Sequence, residues 1–273
     1  MELFISDLDG TLLDTQARVS DVTRDKINAL LDKGMNFTVA TARSLFSAGK
    51  LMAELHLKLP MILMNGVLIY NNAERHYEVI NKLSHECRAR ITDKIHEHGL
   101  SCFMYVIDGE MMQTYFEKLG NEAMVNFYEE RKNKYNKSLT QVHELQEIKE
   151  DVIYFTLLDT REHLQPLHDE LEADEDIGTT FYNDIYDREM WYLEIFSSKA
   201  SKENGLRYIR EKYGFDKVTA FGDNLNDLPL FRASERRIAM GNAMDELKAC
   251  CDQVIGTNAE DSVAKYLEEV YDG

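Results

Sequence analysis

The stretch Leu3-Phe4-Ile5-Ser6-Asp7-Leu8-Asp9-Gly10-Thr11 decides the fold. Leu3 to Ile5 form a short apolar run of the kind that becomes a buried strand, and the run stops at Ser6. A polar, acid-rich loop continues to Asp14. Open α/β sheets bind ligands beyond the carboxyl ends of their strands, so Asp7 and Asp9 stand where a site is expected. Two carboxylates so close in sequence can converge on one hard cation. Gly10 permits a sharp backbone turn. A carboxylate can also attack phosphorus as a nucleophile.

Outward from this stretch the pattern alternates. Ser20 is placed to cap a helix with Ile27, Leu30 and Leu31 on one face, closed by Gly34. Phe37 to Ala40 reads as a buried strand with Thr41-Ala42-Arg43 at its exit, followed by a helix over Leu45–Leu55. Pro60 opens another apolar strand, Met61 to Met64, and Asn65-Gly66 makes a turn. This rhythm predicts a parallel α/β sheet. From Ser84 the pattern changes. An amphipathic helix to His98 precedes a hairpin around Asp108-Gly109, a polar stretch over 118–150, a strand over Val152–Leu158, a helix over Thr160–Leu171, and strands over Thr179–Tyr182 and Met190–Phe196. The α/β rhythm then returns. Ser201 caps a helix that ends at Gly214, and Val218–Phe221, Arg237–Met240 and Gln253–Ile255 read as strands. The expected fold is α/β: a Rossmann-like parallel-sheet core, residues 1–83 and 188–273, with an inserted α+β cap, residues 84–187, and joints near Asn81–Ser84 and Asp187–Glu189.

Composition narrows the function. The chain has 273 residues, is 44% hydrophobic and 29% charged, and carries a net charge of −18. That is globular rather than disordered composition. The charge opposes binding to nucleic acid or anionic membrane, so neither is expected as a partner. Cys87, Cys102, Cys250 and Cys251 form no CxxC pair and are expected to be reduced thiols outside any zinc site. The N-terminal residues lack the basic region of a signal peptide, and no apolar run approaches a spanning length of about 18 residues. The expectation is a cytoplasmic protein, a monomer or small homo-oligomer.

Three further motifs follow in order. Thr41, in Val39-Ala40-Thr41-Ala42-Arg43, offers a hydroxyl at a strand end that can bind phosphoryl oxygens or simply cap the next helix. Arg43 is equally readable as a substrate-anion ligand or a solvated surface charge. Ser197-Ser198-Lys199-Ala200-Ser201-Lys202 presents two lysines, and Gly222-Asp223-Asn224-Leu225-Asn226-Asp227 places two more carboxylates after a strand. Together with Asp7-Leu8-Asp9-Gly10-Thr11, these motifs resemble the haloacid dehalogenase superfamily, specifically its Cof-type phosphatases with a large C2-type cap, over the whole chain.

The resemblance implies a catalytic set of Asp7, Asp9, Thr41 and Lys202. Asp7 would be the nucleophile that forms an aspartyl-phosphate, and Asp9 the general acid and then the general base. Thr41, Arg43 and Asn226 would bind substrate. Lys202, favoured over Lys199 because it opens the helix just after Ser201, would neutralise charge on the nucleophile and phosphate. Asp7, Asp223 and the backbone carbonyl of Asp9 would hold Mg²⁺, with Asp227 orienting Lys202. The chain departs from the family's usual pattern at Ala42 and Glu203, where Gly is common, and Glu203 is expected to bring an anion close to the site. Gly241-Asn242-Ala243 also resembles the family and is expected to shape a loop. The implied activity is Mg²⁺-dependent hydrolysis of small phosphomonoesters, sugar phosphates foremost, with the cap acting as a lid. Phosphosugar mutase-type phosphoryl transfer and a non-enzymatic phosphate-binding role are the alternatives. Tyr105, Tyr115, Phe127, Tyr128, Tyr154 and Trp191 are core candidates, and the sequence singles out none of them as a ligand contact.

Overall fold

A computed structural model describes residues 1–109, 111–135, 139–183 and 189–272. The chain divides into two compact units, Met1–Val79 with Ser201–Gly273, and Ile80–Ala200.

The first unit is built on a five-stranded parallel sheet in the order Gln253–Val254, Arg236–Ala239, Lys217–Gly222, Glu2–Ser6 and Phe37–Val39. Leu3, Ile5, Phe37, Val39, Val218, Ala220 and Phe221 are fully buried in it, as continuous apolar strands of a sheet covered on both faces should be. Helix Asp21–Asp32 is capped by Ser20, whose Oγ accepts from Thr23 N at 3.0 Å, and it packs against helix Ser262–Asp272. Helix Lys202–Tyr213 is capped by Ser201 and ends on the left-handed Gly214. Met61–Leu63 runs parallel to Phe37–Val39, as expected, but its pairing there is limited to one parallel bridge. It pairs antiparallel with Leu68–Asn71 in a separate three-stranded sheet, and a single bridge, Ala40 to Ile62, ties it to the parallel sheet. The turn at Asn65-Gly66 reverses the chain too tightly to allow a crossover helix, so the next strand lies alongside.

The second unit is a six-stranded sheet in the order Ile177–Asn183, Met190–Ser197, Asp151–Thr160, Phe103–Asp108, Met111–Phe116 and Leu139–Gln141. All its pairs are antiparallel except the last, which is parallel and was hidden in the polar stretch over 118–150. Helices His85–Glu97 and Arg161–Leu171 cover one face, burying Ile91, Ile95, Leu164 and Leu167 against Met104, Phe155, Leu157, Leu193 and Ile195. Helix Glu122–Tyr135 takes part of the other face, where Phe127 stacks on Phe103 at 4.7 Å. Cys87 and Cys102 are buried, whereas Cys250 is exposed.

Both junctions differ from the expected boundaries at 83–84 and 187–188. Leu83 N donates to Val152 O at 2.9 Å and Lys82 pairs with Asp151, so residues 80–83 run with the second unit. The expected second joint includes Asp187, which lies outside the described residues. The division instead falls at Ala200–Ser201, because Met190–Ser197 is paired on both sides within the six-stranded sheet. No described helix is long and apolar enough to cross a membrane.

Candidate active site

Strand Glu2–Ser6 lies between Lys217–Gly222 and Phe37–Val39, with Ser6 level with both Phe221 and Val39. The next strand in sequence lies on one side of Glu2–Ser6 and the later strands on the other, so the strand order reverses here, which in a parallel sheet leaves a crevice at the strand exits. Asp7, Thr41 and Asp223 all leave the sheet there. Asp7 is anchored by its backbone, its N donating to Phe221 O at 3.0 Å.

Lys202 is the hub of the site. It opens its helix directly after the Ser201 cap and is only 1% exposed. Its Nζ donates to Asp7 Oδ1 and to Asp227 Oδ1, both at 2.6 Å. Burial works against a charged ammonium here, but the charges of Asp227 and Asp7 and the hydrogen bonds to them outweigh it and hold the lysine above its usual pKa. Lys199, the alternative, lies exposed in the second unit.

Asp227 is fully buried and committed. Its Oδ2 accepts from the backbone N of Asp223 at 3.0 Å and of Asn224 at 3.1 Å, while Oδ1 holds Lys202. Asp223 is held by Thr11, whose Oγ1 donates to its Oδ1 at 2.9 Å. Gly10 is required twice over: its φ is +75°, and a Cβ there would lie 2.2 Å from Asp223 Oδ2. Asn242 Nδ2 donates to Gly10 O at 2.8 Å, and Asn258 N donates back to Asn242 Oδ1, so the Gly241-Asn242-Ala243 loop shapes the acidic turn.

The carboxylates of Asp7, Asp223 and Asp227 each bring an oxygen within 4.8 Å of the others. Burial, opposed by Lys202, drives the Asp7 carboxyl well above its ordinary range. Burial and then the Asp227 charge push Asp223 up to about 6. Three carboxylates around one buried ammonium leave the cluster short of positive charge. An all-oxygen donor set with this deficit fits a hard divalent ion such as Mg²⁺. Asp227 has both oxygens occupied, which leaves Asp7 and Asp223 as the side chains free to take it.

Asp9 and Arg43 are brought together unexpectedly. Arg43 Nε donates to Asp9 Oδ2 at 2.7 Å and an Arg43 terminal nitrogen to Oδ1 at 2.6 Å, a two-pronged pair. Arg43 is thus not a solvated surface charge. Thr41 is 1% exposed and its Oγ1 accepts from Arg43 N at 3.1 Å, which fixes the turn carrying the arginine. Asn226 sits half-buried in the turn between Asp223 and Asp227. Glu203 does not add uncompensated charge, because Arg207 and Arg232 both pair with it.

The residue-by-residue reading of the sequence left out Thr11 and Asn65. Thr11 stood in the quoted motif without a role. Asn65 takes a left-handed φ of +53°, donates its backbone N to Thr41 O at 3.0 Å, and buries an Oδ1 with no partner among the described residues. The Asn65-Gly66 dipeptide was its signal, but it reads as an ordinary turn.

A family model described as haloacid dehalogenase-like hydrolase matches residues 4–267. The chain belongs to this family. Among characterised relatives, it is similar to the 5-amino-6-(5-phospho-D-ribitylamino)uracil phosphatase YitU of Bacillus subtilis, 23% identical over 98% of this chain and 97% of the relative. It is also similar to the pyridoxal phosphate phosphatase YbhA of Escherichia coli, 24% identical over 96% and 95%. A crystal structure of a Thermotoga maritima protein superposes with a TM-score of 0.80 at 28% identity, covering 98% of this chain and 96% of that one. A haloacid dehalogenase-like hydrolase from Bacteroides thetaiotaomicron shares the fold at a TM-score of 0.80 and 22% identity, covering 98% and 99%.

Proposed function

We propose that this haloacid dehalogenase-like hydrolase is a Mg²⁺-dependent phosphoric monoester hydrolase of small phosphorylated metabolites, sugar phosphates foremost, working through an aspartyl-phosphate. One observation carries the reading: Lys202 Nζ lies 2.6 Å from both Asp7 and Asp227, in a buried cluster at the exits of adjacent parallel strands. A carboxylate nucleophile needs one oxygen held and the other free, and Lys202 holds Oδ1. The phosphatase relatives, named for a phosphorylated ribityl compound and for pyridoxal phosphate, support the substrate class.

The chemistry follows from the side chains. Asp7 Oδ2 attacks phosphorus, the P–O bond to the leaving group breaks, and Asp9 gives that oxygen a proton. In the second half Asp9 takes a proton from water as the water oxygen bonds to phosphorus, and the Asp7–P bond breaks to restore the carboxylate. Lys202 offsets charge gathering on Asp7 and the phosphoryl oxygens, and Thr41, with Asn226 and the backbone N–H groups of its turn, orients the phosphoryl group. A divalent ion held by Asp7, Asp223 and the Asp9 backbone carbonyl would supply further stabilisation of that charge. Arg43 aims Asp9 in addition to any contact with the substrate. The inserted unit carries selectivity for the rest of the substrate. This reading places the enzyme in the cytoplasm, as a monomer or small homo-oligomer, with neither nucleic acid nor membrane as a partner.

The test is release of phosphate from p-nitrophenyl phosphate in the presence of Mg²⁺. Asp7→Asn should lower turnover about a thousandfold or more, since removing a nucleophile removes the covalent route. Turnover within tenfold of wild type in that variant would remove the assignment.

A further inference from the structure

Ligand atoms also gather away from the strand exits. In the second unit His168, Asp169 and Glu172 each bring an imidazole nitrogen or a carboxylate oxygen within 4.8 Å of the other two. His168 lies in helix Arg161–Leu171 and Glu172 is its C-cap, the i, i+4 spacing that puts two side chains on one helix face. The unsatisfied carbonyls of a helix end add partial negative charge there. Lys94 and His98, at the end of the neighbouring helix, pair with Glu170 instead. Arg161 lies within electrostatic reach of Asp169, and its guanidinium is drawn over the Trp191 ring at 5.0 Å.

The imidazole is held in one orientation. Its side chain is 13% exposed, and the ring stacks on Phe181 of strand Ile177–Asn183 at 4.8 Å with the planes 24° apart. Nδ1 faces Asp169 Oδ1 at 3.4 Å. Asp169 is fixed in turn by Gln165, whose Nε2 donates to the same oxygen at 2.6 Å and stands farther from Nδ1, at 3.5 Å. Hydrogen bonds from Gln165 and from His168 hold the Asp169 carboxyl below its usual range, so it stays an acceptor. A carboxylate on that side favours the tautomer with its proton on Nδ1, which leaves Nε2 with a lone pair.

Spacing then selects the ligand. His168 Nε2 and Glu172 Oε1 are 3.6 Å apart, too far for a hydrogen bond between them. Two ligands held at about 2.0–2.1 Å by one tetrahedral Zn²⁺ stand about 3.3 Å apart, so the pair is already spaced almost as a chelate. An imidazole nitrogen with a carboxylate oxygen suits a borderline ion such as Zn²⁺, whereas the all-oxygen set of Asp7 and Asp223 suits Mg²⁺. We propose that His168 Nε2 and the Glu172 carboxylate bind Zn²⁺, with Asp169 as the carboxylate that aims the imidazole and raises its basicity. Water fills the remaining positions on the ion. The site lies wholly within the second unit and is separate from the acidic cluster of the first.

The test titrates Zn²⁺ into the full chain in excess Mg²⁺ and follows the His168 ring signals by NMR. Reading the ring itself sets aside any Zn²⁺ taken up by Asp7 and Asp223 or by the exposed Cys250 thiol. The wild-type signals should shift saturably. The apparent Kd should rise about tenfold or more in Glu172→Gln, which removes a ligand, and about tenfold in Asp169→Asn, which weakens the hold on the ring. Both side chains are more than half exposed, so neither substitution threatens the fold. His168 signals indifferent to Zn²⁺ overturn the proposal. So does an affinity unchanged in Glu172→Gln, which means that the imidazole binds the ion alone, or unchanged in Asp169→Asn, which removes the aiming carboxylate from the site. No phosphatase activity enters the readout, so the outcome stands apart from the reading of the acidic cluster.

Discussion

Arg43 and Asp9 show how two residues read singly take on meaning as a pair. In the proposed mechanism Asp9 gives a proton to a leaving oxygen and later takes one from water, which requires it to be aimed; it is about half exposed, with both oxygens accepting from Arg43. Lys202 needs no such partner swap, because the buried carboxylates on either side of it fix it in one geometry. If Arg43 positions the general acid, Arg43→Gln should harm substrates in proportion to their need for protonation. For glycerol phosphate, whose alkoxide must be protonated, kcat should fall about a hundredfold, near the scale of general acid catalysis. For p-nitrophenyl phosphate, whose phenolate leaves unprotonated, the fall should be much smaller. Steady-state kinetics on the two substrates checks this, and equal losses would mean that Arg43 acts on the phosphoryl group alone.

The placement of Lys202 depends on an element boundary. Ser201 Oγ accepts from Asn204 N at 2.9 Å and so sets where the helix starts, and with it where Lys202 points. The neighbouring turn closes on this cap. Gly66 has a φ of +98°, and a Cβ there would stand 2.2 Å from Ser201 O. Gly66→Ala should therefore cost about 2 kcal/mol or more, from a disfavoured backbone and a clash with rigid main chain. Urea unfolding measures it, and a phosphatase assay should show activity falling with it as Lys202 is displaced. A variant as stable and active as wild type would show that the turn can retreat from the helix. Much of this layer was legible in advance. Ser20 and Ser201 cap helices as their positions suggested, and Gly34 and Gly214 take left-handed conformations just beyond helix ends. Met61–Leu63 was legible as a strand parallel to its predecessor, but its antiparallel partner Leu68–Asn71 was not, because an apolar run carries no information about which strand lies beside it.

Over the whole molecule, a chain of net charge −18 gathers three carboxylates around one buried lysine at its sheet switch point. An arrangement of this kind is destabilising on its own and gains from a divalent cation. Mg²⁺ at about a hundred times its dissociation constant should stabilise the folded state by about 2.7 kcal/mol. Differential scanning calorimetry should show this as a rise in Tm of several degrees, reversed by EDTA and absent in Asp223→Asn. A wild-type Tm indifferent to Mg²⁺ would argue against the cation site. The two compact units also explain a boundary that the sequence misplaced. Met190–Ser197 resembles any apolar strand, and only its pairing with Asp151–Thr160 and Ile177–Asn183 assigns it to the second unit.

What the amino-acid order settled unaided was local: the acidic turn after the first strand, the helix caps, and the alternation of strand and helix. Those features depend on neighbours a few residues apart, whose preferences are written in side-chain shape and backbone freedom. What the tertiary structure decided was which distant groups meet. It brought Lys202 to Asp7, committed Asp227 to backbone donors, and gave Arg43 to Asp9 and Thr11 to Asp223. Those choices follow from strand register and burial, which bring together residues up to about two hundred positions apart and strip them of water, and neither is encoded in any short window of the chain.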